Sequence, residues 1–195
     1  MVQPSVYSKE QIVDAAFEIV RDGGWSAVSA RAIAKRLGSS TMPIYSHTRS
    51  MDELEGALRE KARTTLHEFQ HRSYTGFPLL NVAFGYIAFA RDEKHLFRFL
   101  YLDKPDSLSD ADLGNMRDFF AREFGEQSDE NQALAAMSPE SQDALVRHTW
   151  IFTHGLASLV NAGTLGDMSD EKILELLQNA GEAFYTWAHA KGETP

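Results

Sequence analysis

The sequence predicts an all-α protein: a small N-terminal three-helix unit, a long connecting helix and a larger helical body. Three observations predict it. Apolar residues recur at the roughly 3.6-residue helical period along most of the chain, as at Ile12, Ala15, Ala16, Ile19 and Val20. Helix-start signatures recur too: Ser8-Lys9-Glu10-Gln11, Ser50-Met51-Asp52-Glu53 and Ser138-Pro139. No segment reads as a convincing strand, and nothing repeats at a solenoid period.

The elements follow in order. Ser8 and Gln11 form a capping box, and Gly23-Gly24 stops the first helix. Trp25 offers an apolar anchor. Ser29 caps a second helix with Ala30, Ile33, Ala34 and Leu37 on one face, ended by Gly38. Ser40 is expected to cap a short third helix, Thr41 to His47, with Pro43 in its first turn, where a missing amide hydrogen costs little. Ser50 opens a long helix to about Arg72, and Gly76-Phe77-Pro78 is the clearest break. Phe84, Ile87, Ala88 and Phe97 suggest two helices bent around Asp92. Residues 103–110 read as a loop, 111–124 as a helix and 125–137 as irregular. Ser138-Pro139 starts a helix to about Asn161, and Ser169 caps a last one to about Ala190. Gly155 and Gly181 lie inside these two helices, where glycine costs roughly 1 kcal/mol against alanine. Close approach of another backbone is the expected reason.

Composition narrows the chemistry. There is no cysteine, which removes disulfides, thiolate metal sites and cysteine nucleophiles. The N-terminus lacks a signal pattern and no apolar run nears the roughly 20 residues that span a bilayer, so a cytoplasmic protein with no membrane partner is expected. The chain carries net charge −9, unevenly spread. Its first 50 residues hold six Lys/Arg against four acids, a net +2, which leaves −11 on the rest. Arg31, Lys35, Arg36 and Arg49 fall in one stretch without an acid. A positive patch on an acidic body is compatible with DNA, because the patch meets phosphate while the remainder limits nonspecific adhesion.

That stretch, SARAIAKRLGSSTMPIYSHTRS, has the layout of a helix-turn-helix. Its first helix packs on a supporting helix, and Gly38 tolerates the left-handed turn. The second helix buries Ile44 and leaves Thr41, Met42, Pro43, Tyr45, Ser46 and His47 to face a major groove. Hydroxyls such as those of Ser29 and Ser40, with helix N-terminal amides, suit phosphate; methyl-bearing side chains suit thymine methyls. His47 has a plainer alternative as partner of a carbonyl at the helix end, and Arg36 as a solvated or ion-paired surface charge.

With Leu37-Gly38, Ile44-Tyr45-Ser46-His47, Arg49 and the capped Ser50-Met51-Asp52-Glu53-Leu54, the sequence resembles the TetR-type (TetR/AcrR) transcriptional regulators over residues 8–60, and loosely along the whole chain. Trp150-Ile151-Phe152-Thr153-His154-Gly155 is similar to the Trp-x-x-x-His-Gly motif of one C-terminal subgroup of that family. The resemblance implies that Arg31 reaches a base edge, that Tyr45 and His47 contact phosphate, and that Thr41, Met42 and Pro43 lie where bases are read. The family often has lysine where this chain has Met51, and Arg49 is expected to take over that contact. The resemblance further implies a small-molecule pocket in the body, for which Phe97, Trp150 and His154 are the candidate lining residues. It also implies a homodimer through the last two long helices, whose apolar faces look wide. The expected organisation is therefore a DNA-binding domain at 1–50, with the connecting helix to about 72, and a ligand-binding and dimerisation domain at 76–195.

The expected function is a ligand-responsive regulator, a repressor that binds a palindromic double-stranded DNA operator and answers an unidentified small-molecule effector. Ligand would favour a conformation with wrongly spaced reading heads, the helix from Ser50 to Arg72 carrying the shift. No cofactor, resident metal or catalytic residue is expected. Two rivals differ in class. His67-Glu68-Phe69-Gln70-His71 is a literal H-E-x-x-H, the zinc-hydrolase pattern. It lacks a third ligand at a familiar spacing, and histidines on the surface of a linker helix are the plainer reading. Such a hydrolase would bind stoichiometric metal and lose activity on Glu68→Gln. A helical interaction protein without DNA binding would show no salt-sensitive affinity for DNA.

Overall fold

The computed structural model describes residues 7–48, 50–103 and 136–192. Among them every regular element is helical. The chain divides into two compact units: Met1–Glu68 with Asp92–Pro105, and Phe69–Arg91 with Asp106–Pro195. The helix expected at 111–124 and its flanking loop lie outside the described residues.

In the first unit, α1 (Lys9–Gly23) starts at a complete capping box: the Gln11 amide donates to Ser8 Oγ at 3.2 Å, and the Ser8 amide to Gln11 Oε1 at 2.9 Å. Its buried face is Ile12, Ala15, Ala16, Phe17 and Val20. A 3-10 turn at Trp25–Ala27 places Trp25 against Phe99, ring centroids 5.6 Å apart. Helices α2 (Ala30–Leu37) and α3 (Met42–His47) follow, and then α4 (Met51–Gln70), where Ser50 Oγ accepts from the Glu53 amide at 3.1 Å. The Glu53 carboxylate takes the Lys9 ammonium at 2.6 Å, and Lys61 pairs with Asp14, so α4 is tied to α1 at two points. Leu54, Leu58, Ala62 and Leu66 are the buried apolar side of α4 in this unit. Helix α6 (Lys94–Tyr101) adds Leu96, Phe97, Phe99 and Leu100 to the core. Arg21 grips Glu93 through two nitrogens, at 2.6 and 2.9 Å, and this carboxylate raises the guanidinium's pKa further.

In the second unit, α5 (Pro78–Asp92) begins at the expected break and buries Val82, Phe84, Tyr86, Ile87 and Phe89. Asn81 organises the turn before it, its Oδ1 accepting from the Tyr74 amide at 3.1 Å and the Thr75 amide at 2.7 Å. Helix α7 (Pro139–Ala162) has Ser138 as cap and Pro139 at its start. Helix α8 is Asp170–Gly192, with the Lys172 amide 3.4 Å from Ser169 Oγ. Asn161, buried, donates to the Ala90 carbonyl at 2.8 Å and ties α7 to α5; Arg91 pairs with Asp170 at 2.5 Å.

Two expectations need correction. A Cβ placed on Gly155 or Gly181 meets nothing within 4 Å, so neither glycine admits a passing backbone within the described chain. The close approach is at Gly85 on α5, where a Cβ would sit 2.4 Å from the Phe69 carbonyl oxygen. The other concerns Ser40. The N-cap of α3 is Thr41, in right-handed helical conformation and with no side-chain cap bond. A capping oxygen accepts from the second or third helical amide. Here the second residue is Pro43, which has no amide hydrogen, and the Ile44 amide already donates to the Thr41 carbonyl at 3.2 Å. Thr41 therefore makes no side-chain cap bond, and Ser40 lies one residue before the cap. Among the described residues no helix is long and apolar enough to cross a membrane.

Candidate functional site

The reading head is built by α2, Gly38 and α3. Ser29 Oγ accepts from the Ala32 amide at 3.1 Å and starts α2, which buries Ile33 and Ala34. Gly38 closes it at φ 65°, ψ 32°, the left-handed region that favours glycine. The Ser39 amide reaches back to the Ala34 carbonyl at 2.9 Å and the Gly38 amide to Lys35 at 3.2 Å, the paired bonds of a Schellman turn. Tyr7 locks this corner, its hydroxyl donating to the Leu37 carbonyl at 2.6 Å.

Helix α3 then buries one residue, Ile44, 2% exposed, and turns Met42 and Tyr45 outward at 77% and 72%. Ser29, Arg31, Ser40 and Ser46 are exposed; Thr41, Pro43 and His47 are half-buried. Ser46 Oγ donates to the Pro43 carbonyl at 2.8 Å and Ser39 Oγ to the Ser40 carbonyl at 2.9 Å. His47 Nε2 is turned inward, without a hydrogen-bond partner among the described residues. Arg49 lies outside the described residues. Arg36 is held by Asp22 at 2.8 Å, whereas Arg31 and Lys35 are exposed and form no ion pair among the described residues. Two cations and an aromatic hydroxyl thus face outward around a short helix, the charge and shape that suit a phosphate-lined groove.

The H-E-x-x-H segment sits at the end of α4. His67, Glu68 and His71 are exposed, and the helix stops at Gln70, so His71 is past the last helical turn. Among the described residues no three His, Asp or Glu side chains are grouped to hold a metal ion.

The second unit contains a cavity of about 470 Å³ between α5, α7 and α8. This is the size of a site that encloses a drug-sized molecule, roughly 300–1,000 Å³. Trp150 and His154 line it, stacked at 5.0 Å with an interplanar angle of 12°. Phe97 does not: it is fully buried in the first unit, its ring 5.4 Å from Tyr101. Two lining residues were not singled out from the sequence. The Tyr86 hydroxyl lies 2.9 Å from His154 Nδ1, and Thr153 is buried with its Oγ1 lacking any hydrogen-bond partner among the described residues. An unsatisfied buried hydroxyl costs about 1–3 kcal/mol. The signal for Thr153 was present: with Val146, Trp150 and His154 it repeats at the spacing of one helix face.

Burial holds the pKa of His154 below the ordinary 6.5. Folding therefore favours the neutral ring. Above pH 6.5 both folded and unfolded chains keep it neutral, and the shift costs nothing. As pH falls through that value the unfolded chain takes up a proton that the folded one does not, so stability declines until the folded ring also protonates. Chemical denaturation at a series of pH values from 7.5 downward should show this decline, and His154→Gln should flatten it. The difference will be small because the ring is half-buried. An unchanged profile in the variant would remove His154 as its source.

With every described element helical, an exposed helix-turn-helix together with a helical body has the layout of the DNA-binding transcription regulators. Residues 12–58 match the profile described as bacterial regulatory proteins, tetR family, and residues 79–184 match the tetracyclin repressor-like C-terminal domain. The second match alone spans more than half of the chain. The protein belongs to the TetR family of transcriptional regulators. An uncharacterised HTH-type transcriptional regulator of Mycobacterium tuberculosis is 30% identical over 59 residues, which cover 30% of this chain and 27% of that protein. The match thus spans about a quarter of that relative's length. A TetR-like transcriptional regulator from Rhodococcus sp. RHA1 shares the fold at TM-score 0.59 and 19% identity, covering 95% of this chain and 96% of its own. A protein of unknown function from the same organism does so at TM-score 0.64 and 20% identity, with 95% and 98% covered.

Proposed function

We propose that this regulator is a homodimeric, ligand-responsive repressor of a palindromic operator. Residues 1–50 serve as the reading domain, and residues 76–195 bind the effector and dimerise. Arg31 reaches a base edge, where its planar fork suits guanine O6 and N7. Tyr45, His47 and Arg49, with the hydroxyls of Ser29, Ser40 and Ser46, meet the phosphate backbone, while Thr41, Met42 and Pro43 face the bases. His47 has to swing its inward-facing ring to take part. Trp150 and His154, from the Trp-x-x-x-His-Gly motif, hold part of the effector. The observation that carries the reading is an apolar cavity of about 470 Å³ in the same chain as an exposed reading helix. A ligand that prefers one conformation of the body weakens operator binding, and operator weakens ligand binding by the same factor.

The dimer is supported by exposed apolar side chains on the last two helices. On α7 Ile151 and Leu159 are 56% and 46% exposed, on either side of Gly155; on α8 Leu176 and Trp187 are 39% and 43% exposed. A two-fold pairing of these faces sets two reading helices on successive turns of DNA.

Binding to DNA from beside the protein's own gene, with nonspecific competitor across a salt series, tests the reading. A sequence-specific complex whose log affinity falls with log salt, by about 0.9 for each phosphate neutralised, is expected. If neither that DNA nor a genome-fragment selection yields a complex, the operator part of the reading is wrong.

A further inference from the structure

The lining of the cavity limits what it can accept. Among the described residues it has no lysine or arginine, and its one carboxylate, Glu182, is exposed at the rim. At this described wall an anion would meet no counter-charge and lose its hydration uncompensated. At the same described wall a cation would find one carboxylate, already screened by water. The wall is instead apolar and aromatic, with Phe77, Leu80, Val146, Trp150, Phe152 and Phe184. Within it stands Thr153, 7% exposed, whose hydroxyl has no partner among the described residues. A helical threonine has two accessible χ1 states, so a small rotation exchanges methyl for hydroxyl at the cavity wall. The Tyr86 and His154 pair also lines the cavity.

We propose that the effector is an uncharged, largely apolar molecule bearing a hydroxyl or carbonyl group that hydrogen-bonds to Thr153. This rests on the reading of the cavity as the effector site and names the class of effector.

Four probes of one shape test it by calorimetry without DNA: biphenyl, 4-phenylphenol, biphenyl-4-carboxylate and 4-phenylbenzylammonium. The expected order places 4-phenylphenol first, biphenyl next and both ions at least tenfold weaker. Thr153→Val should weaken 4-phenylphenol about tenfold, the worth of one hydrogen bond, leave biphenyl unchanged and raise the melting temperature of the free protein. Gly181→Leu is the second variant. Gly181 lines the cavity and a Cβ there meets nothing within 4 Å, so leucine grows into empty space and should abolish binding of every probe with the helix intact. Ions that bind as tightly as the phenol would overturn the proposal. So would a Thr153→Val protein with undiminished phenol affinity, full binding by Gly181→Leu, or failure of both neutral probes at millimolar concentration. Ligand response is read separately: a bound probe of the preferred class that leaves operator affinity unchanged counts against switching and not against the class.

Discussion

Ile44→Ala should cost this protein both its operator binding and the stability of its first unit, whereas Tyr45→Ala should cost only the binding. The two neighbours differ because α3 is a lever with one buried side. Ile44 is 2% exposed and is the sole buried residue of that helix. Truncating a buried isoleucine costs about 2–5 kcal/mol. At roughly 4–8 °C per kcal/mol for a unit of this size, the melting temperature should fall by about 8 °C or more. Tyr45, 72% exposed, contributes little to packing, and its removal should move the melt by about 0.5 kcal/mol or less. A hydroxyl on a charged phosphate is worth about 1.5–3 kcal/mol, so operator affinity should drop at least tenfold per half-site. Circular dichroism melts beside fluorescence anisotropy on the operator separate the two effects. Undiminished affinity in Tyr45→Ala would take Tyr45 off the list of contacts.

Local features of this fold were legible in the sequence. The Ser8–Gln11 box, the Gly38 turn and the single inward Ile44 each depend on residues within a few positions. Ser40 failed as a cap although its type was right, because the helix starts one residue later, at Met42 with Thr41 in the cap position. Helical glycines were harder still. Gly85, Gly155 and Gly181 look alike in sequence, yet only Gly85 has backbone against it. What passes a helix is decided by elements far away in the chain. The same limit governs the aromatics: Phe97 and Trp150 are equally apolar, but one fills a core and the other borders a cavity. The Trp150 and His154 pair could be found only because its spacing carries a motif. Tyr86, opposite it on another helix, had no such signal.

The purpose of Gly155 leads to the other large effect. It is an exposed mid-helix glycine with nothing within 4 Å of its Cβ position, between Ile151 and Leu159 on one stripe of α7. Glycine there costs helix stability and gains nothing from the described residues. A partner helix that crosses at this point would use the missing side chain for close approach. Ile151→Arg should therefore turn the proposed dimer into a monomer. Burial of such a side chain is worth roughly 1.5–3 kcal/mol. Two-fold symmetry doubles the loss and puts a guanidinium into both copies of the face, so the partner surface cannot absorb the change by itself. Operator affinity should fall by about 10²–10⁴, the advantage that linking two half-site contacts supplies. Gly155→Leu should separate the causes, since it adds volume without charge: the dimer weakens while the helix of each chain strengthens. Sedimentation velocity reads the oligomer, and anisotropy on whole and half operators reads the linkage. If Ile151→Arg sediments as a dimer, this face is solvent in the working protein and Gly155 has no structural account. If it sediments as a monomer that still binds a half operator with its former affinity, the reading head and the pairing face act as independent modules, and palindromic recognition follows from the symmetry of α7 and α8 alone.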